Sequence, residues 1–322
     1  MHFDTVSGVP LGGRIGGDRV RCGRQTGSVM KVSAPDQGSA TAEPELKGSV
    51  AQSSGRVPDW RADPGVSSPN TINVIGRATP PRVSVVIPAL NEAQNLRCVL
   101  PLIPLTIFEV ILIDGQSSDG TVEVTRALYP SAKIVHQTGH GKGDALKAGF
   151  AACQGDILVM LDADGSANPR EIEKFVSVLL AGADFAKGTR FADGGGSADI
   201  TWLRRAGNSA LVALVNRLHG TNYTDLCYGL NAFWSHCLPH ISLDTDGFEV
   251  ETLINLRLAK SPLKVQEVGS YEERRLYGNS KLHTFRDGFR VLWVILRERL
   301  TGPTQVAAPS YPTTSGASKP VV

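Results

Sequence analysis

The sequence predicts an α/β domain over residues 81–300, a mostly parallel sheet with helices on both faces, between disordered N- and C-terminal tails. Three observations carry this expectation. Short aliphatic, β-branched runs recur along the chain, amphipathic segments with cap residues stand between them, and Gly/Pro/Ser- or Pro/Thr/Ser-rich stretches flank the whole. Val83-Ser84-Val85-Val86-Ile87 is a β-branched run stopped by Pro88, hence a buried strand. Asn91 is placed to cap a short helix reaching about Leu100, closed by Pro101 and Pro104. Val110 to Ile113 form a second strand, and Asp119 is placed to cap a helix from Gly120 to about Leu128. Lys133 to His136 give a short third strand, Gly143 to Cys153 a helix, and Ile157 to Leu161 a fourth strand. Asn168-Pro169, a cap followed by proline at the first helical position, opens a helix to about Leu180. The later half is less regular, with helices near 203–218, 247–259 and 283–299 and short strands near 229–233 and 264–268.

Composition bounds the function. Of 322 residues, 41% are hydrophobic and 20% charged, enough to bury a core. The net charge of +2 argues against a broad nucleic-acid surface, so no nucleic-acid partner is expected. Five widely spaced cysteines without a C-x-x-C pair read as free thiols in a reducing, cytoplasmic setting. No apolar run reaches the roughly 18–20 residues of a bilayer span, so an integral membrane protein is not expected. Residues 1–80 hold 12 Gly, 7 Pro and 9 Ser, too little apolar mass to offset the entropy of ordering, and are expected to be a disordered extension. Residues 301–322 read as a second tail.

The strand ends carry the chemistry, because ligands of open α/β sheets bind beyond the carboxyl ends of the strands. The first strand ends in Pro88-Ala89-Leu90-Asn91-Glu92, the second in Asp114-Gly115-Gln116-Ser117-Ser118-Asp119-Gly120, the fourth in Asp162-Ala163-Asp164. Alternate residues of an extended chain project the same way, so Asp162 and Asp164 would converge, and a hard divalent ion bridging diphosphate oxygens would relieve their repulsion. A solvated turn at Asp164-Gly165 is the plainer alternative. Rival constellations fail. Gly139-His140-Gly141-Lys142-Gly143 looks like a phosphate loop, but Gly143 stands where Ser or Thr is required and His136 where the first glycine should be. Lys142 would either bring a point charge to a diphosphate or belong to an ordinary helix entry. No G-x-G-x-x-G follows the first strand, His236 and His240 lack an H-E-x-x-H frame, and no G-x-S-x-G occurs.

Taken together, these segments resemble the family-two glycosyltransferases of GT-A fold, especially the dolichol- and polyprenyl-phosphate hexosyltransferases. Val83 to Glu92 is similar to V-S-V-V-I-P-x-x-N-E, Asp114 to Thr121 to D-G-x-S-x-D-G-T, and Asp162-Ala163-Asp164 to D-x-D. Lys187 to Phe191 is similar to a G-[ST]-R segment on the next strand, and Arg275 to Leu282 to R-x-x-G-x-S-K-L. The resemblance implies that Pro88, Ala89, Glu92 and Asp114 contact the nucleoside. It implies that Asp162 and Asp164 hold Mg2+ or Mn2+ and the diphosphate, and that Arg275 and Lys281, with Ser280 in the same segment and Arg190 after its strand, serve the substrate. Gly165-Ser166 departs from the L-Q that often follows D-A-D in the polyprenyl-phosphate mannosyltransferases.

The implied reaction is an inverting, metal-dependent transfer of a hexose from a nucleotide sugar to a polyprenyl phosphate at the cytoplasmic membrane face. A lipid phosphate is already anionic, whereas a soluble hydroxyl acceptor needs a carboxylate base. Asp225, Glu249 and Glu251 are the base candidates, although a turn cap (Asp225) and dipole complementation at a helix start (Glu249, Glu251) are equally ordinary uses. Arg204 and Arg205 would grip an acceptor phosphate. The segment from Phe285 to Leu300, apolar among arginines, suits either a peripheral membrane contact or packing on the core. A non-catalytic nucleotide-binding module and a nucleotidyltransferase are the alternatives from other classes.

Overall fold

A computed structural model describes residues 79–278 and 283–301. The expected tails, apart from residues 79, 80 and 301, and the site candidates Ser280 and Lys281 lie outside the described residues.

The elements run β1 (Val83–Ala89), α1 (Ala93–Val99), β2 (Glu109–Asp114), α2 (Thr121–Leu128), β3 (Lys133–His136), α3 (Gly141–Ala152), β4 (Ile157–Met160), α4 (Ile172–Leu180) and β5 (Phe185–Thr189). They continue with β6 (Gly196–Ser197), α5 (Trp202–His219), β7 (Asn231–Trp234), α6 (Leu238–Ile241), α7 (Val250–Ala259), β8 (Val265–Gly269), β9 (Tyr271–Glu272) and α8 (Thr284–Leu300). The main sheet has the order β3-β2-β1-β4-β7-β5-β8, and β6 pairs with β9 in a second, small sheet. All neighbours in the main sheet are parallel except β7, which runs antiparallel to both β4 and β5. The expected α/β architecture is therefore present, with one reversed strand inside it.

β1 is buried on both faces because its two neighbours and two helical layers enclose it. Val83, Val85 and Ile87 join Leu96, Leu112, Ile172 and Phe175 in one cluster, whereas Val86 joins Ile113, Leu146, Phe150 and Phe233 in another. Full burial of each such side chain stabilises the fold by roughly 1.5–3 kcal/mol. A third cluster unites α5, α7 and α8 through Val215, Leu253, Leu256, Val294 and Ile295. Among the described residues Cys98, Cys153, Cys227 and Cys237 form no disulfide.

Two local expectations are corrected. Pro88 does not stop β1, which runs on to Ala89 in register with Asp114. Val86 O accepts from Leu161 N and Ala89 O from Gly115 N, so even-numbered residues bond toward β4 and odd-numbered ones toward β2. The missing N–H of Pro88 thus falls on the β4 side, past the last β1–β4 pair at Val86 and Met160. Asn91 does not cap α1. It sits at φ 58, and its Oδ1 accepts from Ser118 N at 2.8 Å, tying the β1–α1 loop to the β2–α2 loop. The first turn of α1 is served instead by Asp119, whose Oδ2 accepts from Ala93 N at 3.0 Å.

Candidate active site

β1, β2 and β4 deliver their last residues to one edge of the sheet. After β4 the chain passes through Leu161 and Asp162 into a turn at Ala163 and Asp164. Leu161 and Ala163 are buried, whereas the side chains of Asp162 and Asp164 are 28% and 24% exposed. Asp164 Oδ1 accepts from Ser166 N at 3.0 Å across a turn whose Gly165 has φ +77. Gly229 lies directly against Asp162: a Cβ there would stand 2.0 Å from Oδ2. The missing side chain keeps that oxygen clear.

Each of the two aspartates meets a cation that also holds a second carboxylate. Lys142, at the start of α3, places Nζ 2.5 Å from Asp162 Oδ1 and 2.5 Å from Glu251 Oε1. Burial disfavours its ammonium, but the two carboxylates more than offset this and hold its pKa above the ordinary lysine value. Burial raises the Glu251 carboxyl, Lys142 lowers it and Asp162 raises it, with a net upward shift. Arg275 donates from Nη1 to Asp164 Oδ2 at 3.2 Å and from Nη2 to Glu92. Asn95 orients the same Glu92, donating to its Oε2 at 2.5 Å, and accepts from Tyr277 N at 2.9 Å. Residues 273–278 are strapped across the end of β4 by Glu273 N donating to Ser166 O and Leu276 N donating to Asp164 O. Asp114 is buried, accepts from Ser117 N at 3.2 Å and lies 3.3 Å from His136 Nδ1.

The structure therefore gathers Glu92, Asp114, Lys142, Asp162, Asp164, Glu251 and Arg275 at one edge, beside half-buried Pro88 and buried Ala89. Sequence reasoning missed His136 and Asn95. His136 ends a strand beside Asp114, a position that could have drawn notice, whereas the contact of Asn95 comes from a segment 182 residues away and leaves no local signal.

Other expected roles do not match the geometry. Asp225 is fully buried. It accepts from Arg190 Nε at 2.7 Å and Nη2 at 2.9 Å, and from the backbone amides of Arg190 and Cys227. Burial would raise its pKa, but these bonds and the guanidinium charge hold it below the usual carboxylate range. Such a carboxylate is a poor base and has no face toward an acceptor. Arg190 likewise donates from Nη1 to Glu272, at 3.2 and 3.3 Å, with its guanidinium 5.7 Å from the ring centroids of Phe191 and Tyr228, and has little left for a substrate. Arg204 and Arg205 stand on the first turn of α5, with Arg205 over the Phe191 ring. Glu249 differs from the other base candidates. Its Oε1 accepts from Gly247 N at 3.3 Å, but its buried Oε2 has no hydrogen-bond partner among the described residues. It lines a cleft of about 490 Å³ with Thr245, Phe289, Arg290, Trp293 and Val294.

Asp162 and Asp164 offer partly exposed, hard oxygen donors two residues apart, which fits Mg2+ or Mn2+. Among the described residues no group of three or more side chains forms a metal cage. A bound ion would keep several positions for phosphate and water, as Mg2+ ordinarily does.

The family model described as "Glycosyl transferase family 2" matches residues 84–237. "Glycosyltransferase AglJ" of Haloferax volcanii is 32% identical over 69% of this chain and 74% of that protein. "Dolichyl-phosphate hexose transferase" of the same organism is 30% identical over 68% of this chain and 96% of its own length. Among solved structures, glucosyl-3-phosphoglycerate synthase from Mycobacterium tuberculosis, in complex with Mn2+, uridine diphosphate and glucosyl-3-phosphoglycerate, superposes with a TM-score of 0.54. It shares 23% identity over 68% of this chain and 80% of the other, which speaks to fold.

Proposed function

The chain belongs to glycosyl transferase family 2, and from that membership we propose that it transfers a hexose from a nucleotide sugar to a polyprenyl phosphate, inverting the anomeric carbon. The observation that carries this reading is the pair Asp162 and Asp164 at the end of β4, each facing a basic side chain. A divalent ion held there would offset negative charge on the departing diphosphate, often the largest catalytic contribution. Glu92, Asp114, Pro88 and Ala89 would seat the nucleoside. Arg275, already fixed between Glu92 and Asp164, would turn a guanidinium N–H toward the phosphates. Lys281 and Ser280 would act from the segment that follows. The acceptor is supported by the relative named for dolichyl phosphate. An anionic phosphate needs no base, which agrees with the engagement of Asp225 and Glu251 by Arg190 and Lys142.

The proposed working place is the inner face of a membrane, by peripheral contact. Among the described residues no helix is long and apolar enough to cross a membrane. α8 instead exposes Phe285, Phe289, Trp293, Leu296 and Leu300 along one side, while Val291, Val294 and Ile295 dock on the core. Arg286, Arg290 and Arg297 border the exposed stripe, and Trp202, Leu203, Arg204 and Arg205 give the start of α5 a similar character.

The unpartnered Oε2 of Glu249, on a residue that lines the cleft, favours a second reading, transfer to a soluble hydroxyl with Glu249 as base. One assay separates the two. Labelled nucleotide hexoses are incubated with Mg2+ or Mn2+ and either a polyprenyl phosphate in vesicles or small hydroxyl acceptors. Labelled lipid is expected, and Asp164→Ala should lower its formation by roughly 100-fold or more. Label found only in a soluble product would replace the lipid reading with the second.

A further inference from the structure

The Gly-Lys-Gly turn that opens α3 is not explained by a phosphate loop, yet its steric demands are strict. Gly141 has φ +87, and a Cβ there would stand 2.0 Å from Asp246 O; at Gly143 a Cβ would stand 1.9 Å from Thr245 O. Gly143 N donates to Asp246 O at 2.9 Å. Two residues without side chains therefore let α3 begin flush against the segment that leads into α7. That approach carries Lys142 into the interior, where its side chain is only 11% exposed. Its ammonium bridges Asp162 and Glu251, and the Glu251 side chain, in the first turn of α7, is 6% exposed. One stretch of chain thus supplies both the wall against which the turn packs and the second carboxylate.

We infer that Lys142 is a positioning residue that acts as a resident counter-charge on Asp162: a divalent cation must displace it to bind, and Glu251 is the carboxylate that retains it. This rests on the proposed metal role of Asp162. The physical reason is competition for one oxygen. An ammonium at 2.5 Å occupies Oδ1 of Asp162, and a doubly charged ion arriving there meets both an occupied lone pair and a like charge. Glu251 prevents the displaced ammonium from being stranded in a buried place. An ammonium has three N–H donors, so Lys142 held by Glu251 keeps donors for the oxygens of a diphosphate arriving with the ion. Lys142 accordingly weakens binding of the bare ion and rewards its arrival with a nucleotide.

The test is Mn2+ binding to the full chain without nucleotide, with free ion counted by electron paramagnetic resonance. Lys142→Met combined with Glu251→Gln removes one positive and one negative charge, so the net charge of the cluster is kept and only the partly exposed Asp162 loses its partner. The double variant should bind Mn2+ about tenfold or more tightly than the unaltered protein, the worth of one charge-assisted hydrogen bond. Glu251→Gln alone should bind it more weakly, because Lys142 then has only Asp162. A double variant that binds Mn2+ no more tightly overturns the inference, as does an absence of Mn2+ binding in both proteins. A purely structural lysine would lower the thermal midpoint without tightening Mn2+. Because no sugar or lipid is present, failure of the transfer assay leaves this result standing by itself.

Discussion

Asp225 shows how a single side chain can mislead when its partner is distant. In the sequence it is one of three acidic candidates near a turn. In the structure it is the anchor of Arg190, 35 residues away, beneath the cation–π contact with Tyr228. Asp225→Asn should therefore act on stability. Breaking a buried pair costs about 3–5 kcal/mol, and since Arg190 keeps Glu272 at 3.2 Å, the lower end is expected in urea unfolding. The pH dependence of the remaining transfer activity should keep its shape; loss of a limb of that profile would restore Asp225 as the base. Asp162, Asp164, Asp114 and Glu92 were legible because each ends or closely follows a strand in a row of recognisable residues. The bridges from Lys142 to Glu251 and from Arg275 to Glu92 were not, since they join segments with no sequence relation.

At the scale of elements, β1, β2 and β4 were legible because buried parallel strands are short aliphatic runs. β6 and β9 were not: two residues each are too few to show a period. The cap of α1 was misread because its donor is met by Asp119 from another loop. α8 was legible as a helix but left two uses open; its packing on the core is present, and its exposed side is the one the proposed membrane contact would use. Val291, Val294 and Ile295 pack inward, while the stripe from Phe285 to Leu300 faces out. Phe289→Ser with Trp293→Ser should change the unfolding free energy by only about 0.5 kcal/mol or so per site, as exposed substitutions do. Cosedimentation with anionic vesicles should fall roughly tenfold or more, since burying each aromatic contributes about 1.5–3 kcal/mol. Undiminished sedimentation would remove α8 from the membrane contact.

Across the whole molecule, ionised carboxylates fasten the later half. Glu298 on α8 accepts from Lys260 Nζ at 2.5 Å and Arg257 Nη2 at 3.3 Å, while Asp244 accepts from Arg257 at 2.7 Å and Arg297 at 2.9 Å. Burial opposes ionisation in Asp225, Asp244 and Glu298, but their basic partners outweigh it and lower all three pKa values below 3.8, 3.8 and 4.5. The unfolded chain then binds protons more readily than the folded one. The stability from these groups is fully present above those ordinary values and is lost as pH falls through the lower, folded ones. Thermal midpoints should hold near neutrality and drop below about pH 4; a midpoint flat down to pH 3 would contradict this.

The reversed strand has a consequence for how the chain could diversify. Because β7 runs against β4 and β5, the chain leaves β5 at Thr189 and re-enters β7 at Asn231 on the same rim of the sheet, where β4 ends at Met160. The excursion over residues 190–230, α5 included, is thus a loop in the topological sense, closed at its own starting point. Its exposed positions could change in length or chemistry while the strands that present Asp114, Asp162 and Asp164 keep their register, provided that Arg190, Val215, Asp225 and Gly229 hold their places against the core and Asp162.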